Sequence, residues 1–440
     1  MKPLPRLVLS LLVMMGVGVI AHAQSPEWKK LMDETADLYV KKEYDKAAEI
    51  AKRTVELAEQ NPGPEHHSVA TSLTNLGLVY YTQRKFTEAE PVYKRALAIR
   101  EKAFGPEAAL VATSLNNLAE LYRAMRKFAE AEPLYRRAIA IREKILGPDD
   151  AEVAKIVNNL ALNYYSERKF TEAEPLLKRV LATWEKTLGP DNPAVATAIN
   201  NLAELYRQQG KSEQAEALYK TALANREKTE GADSPAVAAS LNNVGLTLIA
   251  QGQYEKAEAP LKRALAIREK ALGPDDAETI STMNSLALAY RNQTKYADAE
   301  TLFKRALESR EKALGPDHPE IAPILNNLGL VYLPQKQYSL AEPLFKRAID
   351  ILEKKYGPDH VEVATCLNNL ALLNRNRGRF SQAEPFYLRS LAILEKVLGP
   401  NAPQVAIALN NLALLYRGTD RGTEAEALEE RAASILGKKQ

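Results

Sequence analysis

Asn-Asn recurs every 42 residues along this 440-residue chain, without an insertion or a deletion. The pairs are Asn116/Asn117, Asn158/Asn159, Asn200/Asn201, Asn242/Asn243, Asn326/Asn327, Asn368/Asn369 and Asn410/Asn411, with half-pairs Thr74/Asn75 and Asn284/Ser285. A fixed period of roughly 20–50 residues marks a repeat array, whose units bury their apolar faces against one another. Length alone would suggest several domains; one array accounts for nearly all of it. With 46% hydrophobic residues the chain can fill a long core.

One copy shows the physics. Leu115, Leu118, Leu121 and Tyr122 follow three-four spacing, and so do Ala131, Leu134, Tyr135, Ala138 and Ile139. Each run is one apolar face of a helix, so each copy is two helices joined by a short turn. Gly-Pro closes eight of the nine junctions, as in Gly147-Pro148 and Gly315-Pro316; the exception is Gly231-Ala232. Glycine accepts the left-handed conformation that ends a helix, and proline cannot continue one. Asp191 to Pro193, Asp233 to Pro235 and Asp317 to Pro319 then read as caps followed by proline at the first helical position. Thr87 with Glu90, and Thr171 with Glu174, have capping-box spacing for the second helix.

Ala47, Ala89, Ala131, Ala173, Ala215, Ala257, Ala299, Ala341, Ala383 and Ala425 hold one register in all ten copies. Such a register stays small where two helices approach closely, so Ala257→Phe is expected to cost about 1–3 kcal/mol through overpacking. Aromatic residues fill a neighbouring register (Tyr44, Phe86, Phe128, Phe170, Tyr254, Tyr296, Tyr338 and Phe380) and read as inter-helix core.

Residues 1–23 have the pattern of an export signal. Lys2 and Arg6 precede an apolar run from Leu7 to Ile20, and Ala21-His22-Ala23 is a small-x-small cleavage site. The run is too short to span a bilayer comfortably. The expectation is an exported protein, periplasmic or secreted, with no membrane span. Without Lys2 and Arg6, the 59 Lys and Arg nearly balance the 56 Asp and Glu. That gives no global pull toward nucleic acid. The single cysteine, Cys366, cannot form an internal bridge and reads as a small buried residue.

Small residue, Tyr, aromatic, Ala and Ala at these spacings resemble the tetratricopeptide repeat. Leu-Asn-Asn-Leu-Ala followed by Lys-Arg-Ala-Leu-Ala-Ile-Arg-Glu-Lys-x-Leu-Gly-Pro, at 42 residues, is similar to the kinesin light chain type. The match covers roughly residues 27–440 and adds eight residues to the usual 34-residue unit. The heptad region of kinesin light chain has no counterpart here. The resemblance implies an all-α, right-handed α-solenoid of about ten helix-turn-helix units, whose first helices line a concave groove for peptide segments. The expected organisation is a signal at 1–23, a degenerate first repeat at 24–65, eight regular repeats at 66–399, and a capping repeat with tail at 400–440. In the last copy, Gly422 takes the aromatic register and Glu429 stands where copy three has Tyr135, as a solvent-facing cap requires.

In tetratricopeptide domains the second Asn of such a pair matches one that hydrogen-bonds a bound peptide's backbone. By register this implies Asn75, Asn117, Asn159, Asn201, Asn243, Asn327, Asn369 and Asn411, with Ser285 breaking the row. The alternative is that each Asn bonds the adjacent repeat and sets the stacking. Six residues further come Arg123, Arg207, Arg291, Arg375 and Arg417, with Tyr81, Tyr165, Ile249 and Leu333 in the intervening copies. A guanidinium forks two hydrogen bonds to a carboxylate, so the row reads as a groove for an extended, partly acidic peptide with apolar anchors. At Arg123 and Arg207, Glu120 and Glu204 three residues earlier favour local pairing; at Arg291 and Arg375 the groove reading is favoured.

The chain carries no phosphate-cradling Gly-rich loop, nucleophile elbow or His-Glu-x-x-His. His66, His67, His318 and His360 sit at helix starts and read as caps or solvated residues. The expected function is a non-enzymatic scaffold for a protein or peptide partner, with no cofactor and no metal. The alternative is a self-associating or envelope-assembly protein.

Overall fold

The computed structural model describes residues 25–437, so the expected signal segment lies outside the described residues. It divides into two compact units, Met1–Asn225 and Arg226–Gln440. The first holds α1 (Pro26–Val40), α2 (Tyr44–Gln60), α3 (His67–Thr82), α4 (Phe86–Phe104), α5 (Ala109–Ala124), α6 (Phe128–Leu146), α7 (Ala151–Ser166), α8 (Phe170–Leu188), α9 (Pro193–Gln208) and most of α10 (Ser212–Glu230). The second holds α11 (Pro235–Ala250), α12 (Tyr254–Leu272), α13 (Ala277–Asn292), α14 (Tyr296–Leu314), α15 (Ala322–Tyr332), α16 (Tyr338–Tyr356), α17 (Val361–Asn376), α18 (Phe380–Leu398), α19 (Pro403–Arg417) and α20 (Gly422–Gly437). No strand occurs among the described residues.

Each unit is an α-solenoid. Within a repeat the two helices pack along their length, and the second helix packs on the first helix of the next repeat. The register of ten alanines is fully buried throughout. On the opposite helix Gly77, Gly245 and Gly329 are equally tight: a Cβ at Gly329 would lie 2.6 Å from the Phe345 ring. The aromatic register differs from expectation. These rings stand at the first position of the second helix and are only half-buried. Phe86 and Phe170 tilt against Tyr81 and Tyr165 at the turn, with centroids 5.8 Å apart in each case.

The first helices start as the caps predict. Asn192 accepts from the Ala194 amide at 2.9 Å and Ser234 from the Val237 amide at 3.2 Å, each before a proline. His66, His318 and His360 cap in the same way through Nδ1. At His318 a 3₁₀ turn, Pro319–Ile321, precedes α15. Pro323 lacks the N–H that would bond the Pro319 carbonyl, so the α-helix starts late.

The second helices start differently from the capping-box expectation. Helix α4 opens at Phe86, after Lys85, with no side-chain cap. Thr87 is already inside the first turn. Glu90 and Glu174 instead bridge repeats: Tyr122 donates to Glu90 at 3.2 Å, and Tyr206 to Glu174 at 3.2 Å. The outer faces of the second helices carry ordered ion pairs. Lys94 pairs with Glu90 on its own helix, while Arg95 reaches Glu59 in the preceding repeat. The inter-repeat pair recurs as Arg137–Glu101, Arg179–Glu143, Arg305–Glu269 and Arg347–Glu311. Thr221 holds that register in one copy and bonds its own helix instead.

Candidate functional site

Each first helix leaves one stripe partly exposed, because its other sides face its own second helix and the preceding repeat. In α5 the stripe runs through Thr113, Asn116, Asn117, Glu120 and Arg123, at helical spacing. Both the Asn row and the Arg row therefore lie on or beside this stripe.

The Asn side chains are used between repeats. In the first unit Asn159 donates to Asn116 Oδ1 at 3.0 Å, and Asn201 to Asn158 Oδ1 at 2.9 Å. In the second unit Asn369 donates to Asn326 Oδ1 at 2.8 Å, and Asn411 to Asn368 Oδ1 at 2.9 Å. The second Asn of one repeat thus holds the first Asn of the repeat before it. Asn75 donates to the Met32 sulfur at 3.4 Å. Asn117, Asn243 and Asn327 are half-buried on the same stripe. The Asn ladder breaks at Ser285, whose hydroxyl bonds Ser281 O on its own helix. Consequently the Asn242 oxygen is buried without a partner; those of Asn200 and Asn284 are unpartnered too, although Asn243 and Asn327 stand in the next repeat.

The Arg row separates into three environments. Arg123 donates to Glu120 at 2.7 Å, and Tyr135, from the second helix, donates to the same carboxylate. Arg207 donates through Nε and Nη2 to Glu204 at 2.8 and 2.6 Å, joined by Gln208 at 3.0 Å and Tyr219 at 2.8 Å. Burial pushes the Glu204 carboxyl up, but these donors outweigh it and hold it at about 2. Arg417 is exposed and pairs with Glu429, the cap residue that replaces the tyrosine.

Arg291 and Arg375, both in the second unit, have no carboxylate. The position three residues earlier is Leu288 and Leu372. The tyrosine register is Phe303 beside Arg291 and Tyr387 beside Arg375. Arg291 Nη1 is buried without a hydrogen-bond partner, and burial lowers its guanidinium below the usual range. The Tyr387 hydroxyl is likewise buried and unpartnered, pushed up to about 12 by burial despite the opposing Arg375 charge. An orphaned buried donor carries a desolvation penalty of about 1–3 kcal/mol, more for a charged group.

The same register shows a second contrast. In the regular repeats of the first unit it alternates Leu78, Glu120, Leu162, Glu204; in the second it is Leu246, Leu288, Leu330, Leu372 and Leu414 throughout. The second unit therefore presents a leucine stripe flanked by Arg291 and Arg375. The Arg spacing was visible in sequence. The sequence signal for the leucine row is the Leu/Glu exchange at a fixed register.

Among the described residues no group of three or more His, Cys, Asp or Glu could hold a metal ion. None of their helices is long and apolar enough to cross a membrane. Cys366 is buried, and burial pushes its thiol up to about 12.

The tetratricopeptide repeat model matches nine overlapping segments, from residues 36–102 through to 367–438. Together with the stacked helix pairs this defines the class: the chain belongs to the tetratricopeptide repeat family. No curated protein matches it. Solved structures with the same fold include the apo form of RapI, which is 13% identical with a TM-score of 0.62, over 84% of this chain and 98% of that one. The apo form of the quorum sensor NprR from B. thuringiensis is 15% identical with a TM-score of 0.59, over 84% and 99%. BtubC (BKLC) from P. vanneervenii is 27% identical with a TM-score of 0.45, over 55% and 92%.

Proposed function

We propose that this protein is a non-enzymatic scaffold whose second unit holds an extended, partly acidic protein segment on its first-helix stripe. The observation that carries the reading is the pair Arg291 and Arg375. In the first unit the equivalent arginines are neutralised by Glu120 and Glu204. In the second unit leucine replaces the glutamate, so the positive charge is left for a ligand carboxylate. Leu288, Leu330 and Leu372 supply apolar contact beside it. The Asn residues of the ladder act chiefly by holding adjacent repeats in register, which keeps the stripe rigid enough to bind an extended chain. The export pattern in residues 1–23 supports a function outside the cytoplasm, in the periplasm or beyond. Cleavage after Ala23 in a fractionated bacterial host, read by intact mass, tests that placement.

A displayed random-peptide library tests the binding reading. The purified protein should enrich acidic sequences that also contain aliphatic or aromatic residues. An Arg291→Ala/Arg375→Ala variant with the same helical content and melting curve should enrich none of them. Enrichment of the same acidic peptides by both proteins would remove these arginines from the site.

A second reading, self-association, draws on the last repeat. Ile407 is 60% exposed, Leu414 52% and Leu436 50%. A mass by light scattering that stays monomeric across a wide concentration range would end it.

A further inference from the structure

We infer that the second unit selects segments carrying two carboxylates six residues apart, with an apolar residue at the second or fourth position between them. This rests on the binding reading above and adds a spacing rule to it.

Arg291 and Arg375 occupy the same register on first helices two repeats apart, with Leu333 at that register between them. First helices of neighbouring repeats touch directly in this unit, as the 2.8 Å bond from Asn369 to Asn326 shows. Helices in direct contact lie about 8–10 Å apart, so two steps span roughly 16–20 Å. An extended chain covers about 3.3–3.6 Å per residue, which sets the two charges about five or six positions apart. Side chains of an extended chain alternate between faces, so both carboxylates face the stripe only for an even separation. Six satisfies both conditions. The second and fourth positions then also face the stripe, on either side of Leu330 and Leu333. The third points away.

The two ends are unequal. At Arg375 the buried, unpartnered Tyr387 hydroxyl stands where Tyr135 and Tyr219 donate to the glutamates of the first unit. A ligand carboxylate at Arg375 would therefore accept from the guanidinium, and also from the Tyr387 hydroxyl where binding uncovers it. At Arg291 the corresponding ring is Phe303, so the guanidinium acts alone. The Arg375 end is the stronger anchor.

The test uses fluorescein-labelled peptides of equal length and net charge, each with two glutamates at positions i and i+4, i+6 or i+8 and leucines between them. They are titrated by anisotropy against the full protein. The six-residue separation should bind about tenfold or more tightly than the other two, as expected when a second charge-assisted hydrogen bond forms. Arg291→Ala should bring it down to the level of the others, Arg375→Ala should bring it below that level, and Tyr387→Phe should weaken it several-fold. Arg375→Lys, which keeps the charge but loses the fork, should recover only part of the loss. Equal affinity at all three separations, still lost in the Arg291→Ala/Arg375→Ala variant, would overturn the spacing rule and leave the scaffold reading standing. Failure of every acidic peptide to bind would overturn both.

Discussion

At the turn between the two helices of each repeat, the chain enters the left-handed region once every 42 residues. Seven of these residues are not glycine: Lys42, Arg84, Arg126, Arg168, Thr294, Lys336 and Asp420. Such residues sit there against a steric preference of roughly 1–2 kcal/mol. Arg126→Gly should accordingly stabilise the protein by up to about 1 kcal/mol in denaturant unfolding, once the extra unfolded-state freedom of glycine is counted. The junction glycines are different. Gly147 has φ 86° and ψ 159°, an extended conformation of positive φ rather than the left-handed helical one expected from sequence. Few residues except glycine adopt it, so Gly147→Ala should cost about 1–3 kcal/mol by the same measurement. Glu204 supplies a residue-scale pH dependence. Its folded-state carboxyl lies at about 2 against an ordinary 4.5, so its contribution is complete above about 4.5 and disappears as pH falls toward 2. After allowance for its partial exposure this amounts to about 1–2 kcal/mol. Glu204→Gln should lower the melting temperature near neutral pH and leave it almost unchanged at about pH 2. An equal deficit at both pH values would show that the carboxylate charge is not what stabilises the network.

Helices in this array are positioned by contacts that repeat at fixed separations. Asn369 holds Asn326, and Asn326 is 8% exposed, so Asn369→Ala strands a buried carbonyl oxygen. The expected loss is about 1–3 kcal/mol, and Asn369→Asp should not restore it, because a carboxylate cannot donate to that oxygen. The alanine register gives a complementary expectation. Ala257 has no exposed surface, and Ala257→Phe should lower the denaturation midpoint by the equivalent of about 1–3 kcal/mol. The surface Arg–Glu pairs between second helices are mostly half-exposed and contribute little singly. They orient neighbouring repeats more than they stabilise them.

For the whole molecule, nearest-neighbour contacts mean that damage stays local. In a repeat array stability is close to a sum of repeat and interface terms, so a weakened repeat opens with its neighbours. Gly329→Ala, whose new methyl would collide with Phe345, should raise amide exchange across α15 and α16. Exchange of residues 67–166 should be unchanged. Periodicity alone was enough for the helix pairs, their order, the small register at every crossing and the caps of the first helices, since each depends on residues within a few positions of one another. The Arg row and its alternation with apolar residues were legible for the same reason. Which amide holds which oxygen, why Glu90 leaves its own helix to meet Tyr122, and which arginines keep an unpaired charge were not. Those contacts join residues 15 to 43 positions apart, and they depend on how far each repeat rotates against the last. That rotation follows from the packing of whole helix faces, so it is settled only when the helices stack.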